Sequence, residues 1–278
     1  MAVRAFNAAI DGVGCVRELV IGETADDITI ACSSSDGAFL ELEGTEDWEG
    51  EYSAYGGYSP NGYPNDALSL AFNINQAVDK GGSGTAIIEA VRVNWDFVTN
   101  YPITNTVKFA GDGAFTWGAQ TTSDATTPSP LPSRDGKIEI ATPATSPSFS
   151  TLGHVLGASL VVFSDTFRFA DSSTTGGYER EPGILGWRVE LEVHADDPSA
   201  QEALNGDKHV RMYIDSTHYW DIKWVKWKKI GDLRVSIQGH EYVTSRYRGM
   251  GTGYVTISDV WTKGALIDPA DTPKTIWS

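Results

Sequence analysis

Ala86-Ile-Ile-Glu-Ala-Val-Arg-Val-Asn-Trp-Asp-Phe97 runs into Val98-Thr-Asn-Tyr-Pro102 and then Ile103-Thr-Asn-Thr-Val-Lys-Phe109. Both outer runs alternate at a period of two, which is the mark of a strand with one face buried. In the first, Glu89, Val91, Val93 and Trp95 share a face, and Ala90, Arg92, Asn94 and Asp96 share the other. The polar segment between them, ending in Pro102, reads as the turn of an antiparallel hairpin. This pair sets the expectation for the whole chain, which is β.

The same short alternating runs recur on either side. Ile28–Ile30, Ala38–Glu43, Trp48–Tyr55 and Leu68–Ile74 precede the hairpin. Ser159–Phe163, Trp187–His194, Val210–Ile214, Tyr219–Lys228, Leu233–Ile237 and Tyr254–Ile257 follow it. Only Pro198–Leu204 and a few residues near Gln76–Asp79 have a helical pattern, and both are short. Gln120–Gly136, with Pro128, Pro130 and Pro132 alternating among Thr and Ser, has no periodicity and reads as a linker or exposed loop. A second polar stretch, Ala141–Ser150, follows one strand candidate at Lys137–Ile140. The expected organisation is therefore all-β: two tandem β-sandwich or β-barrel-like domains of antiparallel strands with at most short helices. An acidic domain spans 1–120, a linker or loop 121–149, and a second domain 150–278.

Composition excludes several classes. The 278 residues carry 21 Lys+Arg against 37 Asp+Glu, a formal charge of −16. Residues 1–150 hold 7 basic and 20 acidic side chains, so −13 of that charge lies in the first half. No Lys or Arg occurs between Arg17 and Lys80. Such a chain is a poor ligand for nucleic acid, whose binding runs on cationic contacts to phosphate. No run reaches the length of a membrane-spanning helix, and Met1–Asp11 lacks the apolar core of a secretory signal. With that expectation, Cys15 and Cys32 read as reduced thiols rather than a disulfide.

An order of elements recurs. A Trp-bearing strand (Trp48, Trp187) leads to a shorter strand, then to a long Trp-bearing strand, then to a strand ending in Gly. Aligned without gaps, Thr106–Phe115 falls on Arg234–Val243, so that Val107 matches Val235. The second half reads as a repeat of the first.

Catalytic motifs are missing from the sequence. The five histidines have no metal-ligand spacing, the Gly-rich segments lack the residues of a phosphate loop, and no nucleophile elbow occurs. The expectation is a protein that is not an enzyme and needs no cofactor or metal. Two features remain. Glu41, Glu43, Glu49 and Glu51 sit at i, i+2 spacing and, with Asp96, form a candidate acidic face. Lys223, Lys226, Lys228 and Lys229, interleaved with Trp220, Trp224 and Trp227, form a candidate subunit contact that would meet an acidic neighbour. The same tryptophans could serve as a stacking platform for sugars or single-stranded nucleic acid.

The stretch Glu46-Asp-Trp-Glu-Gly-Glu-Tyr-Ser-Ala-Tyr-Gly56, the strand Leu68–Phe72, the hairpin described above and the closing Gly111-Asp-Gly-Ala-Phe115 together resemble the tail tube proteins of long-tailed bacteriophages. The resemblance covers about residues 46–115 directly and 187–257 through the repeat, where Gly239-His-Glu replaces the Gly-x-Gly. It implies a virion structural protein assembled in the host cytoplasm. Its partners would be copies of itself, in rings stacked into tubes, together with a tape measure protein and a tail terminator. One tube domain per chain implies a hexameric ring and two imply a trimer. DNA would pass through an acidic lumen without tight binding, and no membrane would be involved. A capsid decoration protein is the alternative, and a carbohydrate-binding β-sandwich is a third reading.

Overall fold

The computed structural model describes residues 9–251 apart from 11–12, 14, 32–38, 56–63, 76–79, 119, 121–131, 145, 172–176, 195–201, 215–218 and 235–243. Sixteen antiparallel strands and one 3-10 turn make up the described elements. The first half holds β1 (Ala9–Ile10), β2 (Val16–Ala31), β3 (Phe39–Tyr55), β4 (Ala67–Asn75), β5 (Lys80–Asp96), β6 (Tyr101–Gly111) and β7 (Thr116–Gly118). After the 3-10 turn at Ser133–Asp135 come β8 (Ile138–Ala141), β9 (Ser150–Thr151), β10 (Val155–Ser164), β11 (Phe167–Phe169) and β12 (Glu179–Glu181). β13 (Leu185–His194), β14 (Asp207–Tyr213), β15 (Tyr219–Arg234) and β16 (Thr244–Gly251) complete the described elements. The expected all-β class holds, and the described strands do not close into a barrel. Of the two expected helices, Glu202 and Ala203 form part of one helical turn, while 198–201 and 76–79 lie outside the described residues.

The hairpin that decides the class is β5 and β6, joined by the turn Phe97–Asn100. Val91, Val93 and Trp95 are buried on its inner face, as alternation requires. Glu89 is the exception. The ladder slips between Ile88 and Ala90, and such a bulge turns one residue out of phase. Glu89 thereby leaves the apolar face and meets Lys108 at 3.1 Å.

The repeat is visible as topology. In the first half the hydrogen-bonded order is β2-β3-β6-β5-β4-β1, and in the second it is β10-β13-β16-β15-β14-β8. Register agrees as well as order. Leu19 faces Tyr52 across β2–β3, and Ala158 faces Leu191 across β10–β13, with the same offset of 139 residues that separates Trp48 from Trp187. Even the bulge repeats, between Val16 and Glu18 in one half and between Val155 and Gly157 in the other. The gapless alignment at the repeat's end does not survive. β16 occupies the place of β6, so that Val107 corresponds to Tyr247 rather than Val235. Residues 235–243 lie outside those described.

The two halves are joined by backbone pairing and share one core. β5 is long enough to pair β4 with its first half and β10 with its second, Ala90 facing Phe163 and Asp96 facing Gly157. One apolar cluster runs from Ile10 to Tyr247 through both halves. Burying its largest members contributes on the order of 1.5–3 kcal/mol each. Trp95 adds a directional tie, its indole N–H donating to the Tyr213 carbonyl at 2.9 Å. The expected linker is shorter than its composition suggests. β8 pairs β14, so Ile138–Ala141 already belongs to the second half's part of the sheet. Ser133 also docks on the hairpin turn, its hydroxyl donating to the Tyr101 carbonyl at 2.6 Å.

Candidate assembly interface

Two features of the fold can recognise another surface: the charged outer face of the sheet and the strand edges that are unpaired among the described residues. The face follows from alternation. Residues that face away from the core on β3, β6, β13 and β16 come together in rows across the sheet. Glu51 stands opposite Lys108, and at the equivalent place in the repeat Glu190 stands opposite Arg248. Arg248 holds Glu190 at 2.9 and 3.0 Å, Arg188 approaches the same carboxylate at 3.4 Å, and Arg246 lies 3.9 Å from Glu192. The hydrogen bond to Glu89 keeps the Lys108 ammonium above its usual range, against the opposing effect of burial. These are part-exposed pairs, each worth roughly 0.2–1 kcal/mol, and they make this face one of mixed sign.

The sequence-predicted residues fall into three groups. Glu49 and Glu51 are exposed on β3 beside Lys108, with Glu49 at 4.0 Å from its ammonium. Asp96 does a different job. Burial works to raise its pKa, but hydrogen bonds from the Thr99 hydroxyl and the Thr99 and Val98 backbone N–H groups outweigh it and hold the carboxyl low. It caps the hairpin turn. Lys226, Lys228 and Lys229 are exposed along β15. Glu41 and Glu43 in β3, and Lys223 and Trp224 in β15, lie outside the residues whose side chains are described. Trp220 is buried against Met212 and Trp227 is half-buried on the core, which removes two of the three rings from a sugar-stacking platform.

The open edges are not evident from the sequence. On the side away from β3, β2 has no strand partner among the described residues. On the side away from β16, the second half of β15, from Trp227 onward, has none either. Exposed Glu18, Val20 and Glu23 lie on the first edge, and exposed Lys228 and Lys229 on the second. The opposite charges of the two edges are visible in the sequence as the acidic run after Arg17 and the lysine cluster; that both belong to edges is visible only in the pairing.

A third contact lies inside the chain. The ribbon β11–β12, inserted between β10 and β13, folds back onto the first half. Tyr178 N–H donates to the Glu46 carbonyl at 3.0 Å, and Gly113 N–H donates to the Tyr178 carbonyl at 2.8 Å. Arg180 sends one guanidinium N–H to the Asp47 carboxylate at 2.6 Å and Nε–H to the Gly111 carbonyl at 2.8 Å. Arg168 reaches the other oxygen of Asp47 at 3.1 Å.

In the second half, His209 and Arg211 converge on buried Asp221, and Arg211 also stacks on Phe149 at 3.8 Å and Tyr219 at 4.8 Å. Next to them the Tyr213 hydroxyl donates to Glu139 at 2.8 Å. No cluster of His, Cys, Asp and Glu suited to a metal occurs among the described residues, and no described helix is long and apolar enough to cross a membrane. No protein-family model matches this chain, and no curated protein is significantly similar to it.

Proposed function

We propose that this protein is a structural subunit that joins copies of itself edge to edge into a ring, and that the rings stack as the tail tube of a phage virion. One observation carries the reading. The chain contains two copies of one six-strand order, already joined to each other by a pairing, β5 to β10, that leaves matching strand edges without a partner among the described residues. A unit that propagates by repeating one contact forms either a closed ring or an open filament, and closure removes the exposed strand edges that invite aggregation. Three copies would give six repeats, which agrees with the resemblance to tail tube proteins. The acidic excess of residues 1–150 supports a conduit that a polyanion such as DNA crosses without adhering. A tape measure protein and a tail terminator are the further partners this role entails, and no side chain is asked to do chemistry. A capsid decoration protein is the competing assembly and differs in that its rings do not stack. Negative-stain microscopy with light scattering on concentrated protein tests the reading: rings that stack into tubes are expected, and unstacked trimers or monomers refute the tube and leave the decoration role.

A further inference from the structure

Inside the chain, β5 and β10 show what a finished junction between repeats looks like, and the burial of equivalent positions shows where it is unfinished. Val162 of β10 faces Val91 of β5, Leu160 faces Val93, and all four are nearly inaccessible to solvent. The 139-residue shift carries Val162 to Glu23 and Leu160 to Ile21 on β2, where Glu23 is exposed and Ile21 only half-buried. Beyond the bulge in β5, pairing with β6 and β16 carries Ala90 to Lys228 and Val91 to Lys229 on β15, and both lysines are exposed. Ile88, fully buried, carries over to Trp227, which is half-buried. The same positions are sealed where the repeats meet and open at the two edges that have no strand partner among the described residues.

We infer that the free edge of β2 in one copy pairs antiparallel with the second half of β15 in another, with Glu23 opposite Lys229. The occupant of each edge is a second copy of this chain, and this seam rests on the ring reading given above. Transferring the β5–β10 register sets Thr24 opposite Lys228, Glu23 opposite Lys229 and Gly22 opposite Ile230. The chemistry of the pair supports the register. In the internal junction these two positions are both apolar and buried, whereas here they carry opposite charges. Each charge can be buried only if the other faces it, because an unpaired ion in such a position is strongly disfavoured. Main-chain hydrogen bonding along the added strand supplies attachment, as in other cases of strand addition to a sheet edge. The Glu–Lys pair sets which edges match and in which register.

The test uses the full chain with Cys15 and Cys32 replaced by Ser. Glu23→Cys with Lys229→Cys, oxidised, is expected to give a disulfide ladder on non-reducing gels that ends at the number of copies in the ring. Val20→Cys with Lys229→Cys, which places the thiols on opposite faces, is expected to give none. Rings that assemble normally from the Glu23→Cys, Lys229→Cys chain but show no ladder would overturn the seam and leave the ring reading standing. If the wild type is a monomer, a trapped dimer from this pair alone still supports the seam while the ring reading fails, and no trapped dimer sinks both. Dimers from Glu23→Cys by itself would indicate β2-to-β2 pairing and overturn the proposal. As a second variant set, Glu23→Lys and Lys229→Glu should each raise the concentration needed for assembly by about tenfold or more, and the double exchange should restore it. Far-UV circular dichroism confirms that each variant is folded, and failure of the double exchange to rescue folded chains counts against the register.

Discussion

Replacing Asp47 by Asn should loosen the ribbon β11–β12 from the first half of the chain, and the geometry indicates by how much. Asp47 accepts from Arg180 on one carboxylate oxygen and from Arg168 on the other. The two partners differ in burial. The Arg180 side chain is 8% exposed and that of Asp47 15%, whereas Arg168 is 52% exposed. Removing the carboxylate charge strands a guanidinium that has little access to water. Breaking a buried pair from one side costs about 3–5 kcal/mol, and the residual exposure of Asp47 together with the amide oxygen that remains brings the expectation to about 2–3 kcal/mol. Arg168→Ala removes an exposed pair and an exposed guanidinium contact with the Tyr178 ring at 4.9 Å, and should cost about 1–1.5 kcal/mol. Guanidinium unfolding followed by circular dichroism measures both, at protein concentrations low enough that the midpoint no longer depends on concentration. Urea repeats at low and high salt should show the Arg168 effect fading and the Asp47 effect persisting. If Asp47→Asn and Arg168→Ala cost the same, or Asp47→Asn costs under about 0.5 kcal/mol, the ribbon is not held by a desolvated pair and the reasoning fails.

Gly111 is closed to any side chain: a Cβ there would lie 2.2–2.4 Å from three atoms of the Trp48 indole ring, which cannot retreat because its N–H is bound to the Gly113 carbonyl at 2.9 Å and its ring lies against Phe109 and Phe115. Gly111→Ala should therefore cost about 1–3 kcal/mol by overpacking, and a thermodynamic cycle with Trp48→Phe should show strong non-additivity, measured by the same denaturation. Alkaline stability tests a second site. Burial first, and then the hydrogen bond to Glu139, push the Tyr213 phenol up from 10.0 to about 12. The unfolded chain ionises there first, so this contribution is complete below pH 10 and declines as pH rises towards 12; Tyr213→Phe should flatten that part of a pH–stability curve, and an unchanged slope would remove Tyr213 as its source.

Class and repetition are legible in the sequence because both are written in local patterns. Val91, Val93 and Trp95 alternate with Arg92 and Asn94, and a period of two has one structural meaning. Trp48 and Trp187 stand at equivalent register positions because each fills the same place in its own half. The departures share a cause: each depends on a partner strand that the sequence does not name. Unbroken alternation puts Glu89 on the apolar face, and the bulge that turns it outward exists only as a mismatch with β6. Lys137–Ile140 reads as a strand candidate stranded within a linker because its flanks are rich in Pro, Ser and Thr, and only its pairing with β14 shows which sheet neighbour it joins. The gapless match of 106–115 to 234–243 follows resemblance of residues, while pairing places the equivalent of β6 at Thr244–Gly251. The same dependence governs the candidate interface. Glu23 and Lys229 lie far apart in sequence within opposite-sign clusters, and the sequence reads the lysines as a contact for an acidic neighbour without saying which acidic residue that is. Only the register of β5 on β10 gives them equivalents that meet, and only the burial of Val91 and Val162 shows what such a meeting demands. The contact made once within the chain, β5 on β10, is thus what supplies the register proposed for the seam.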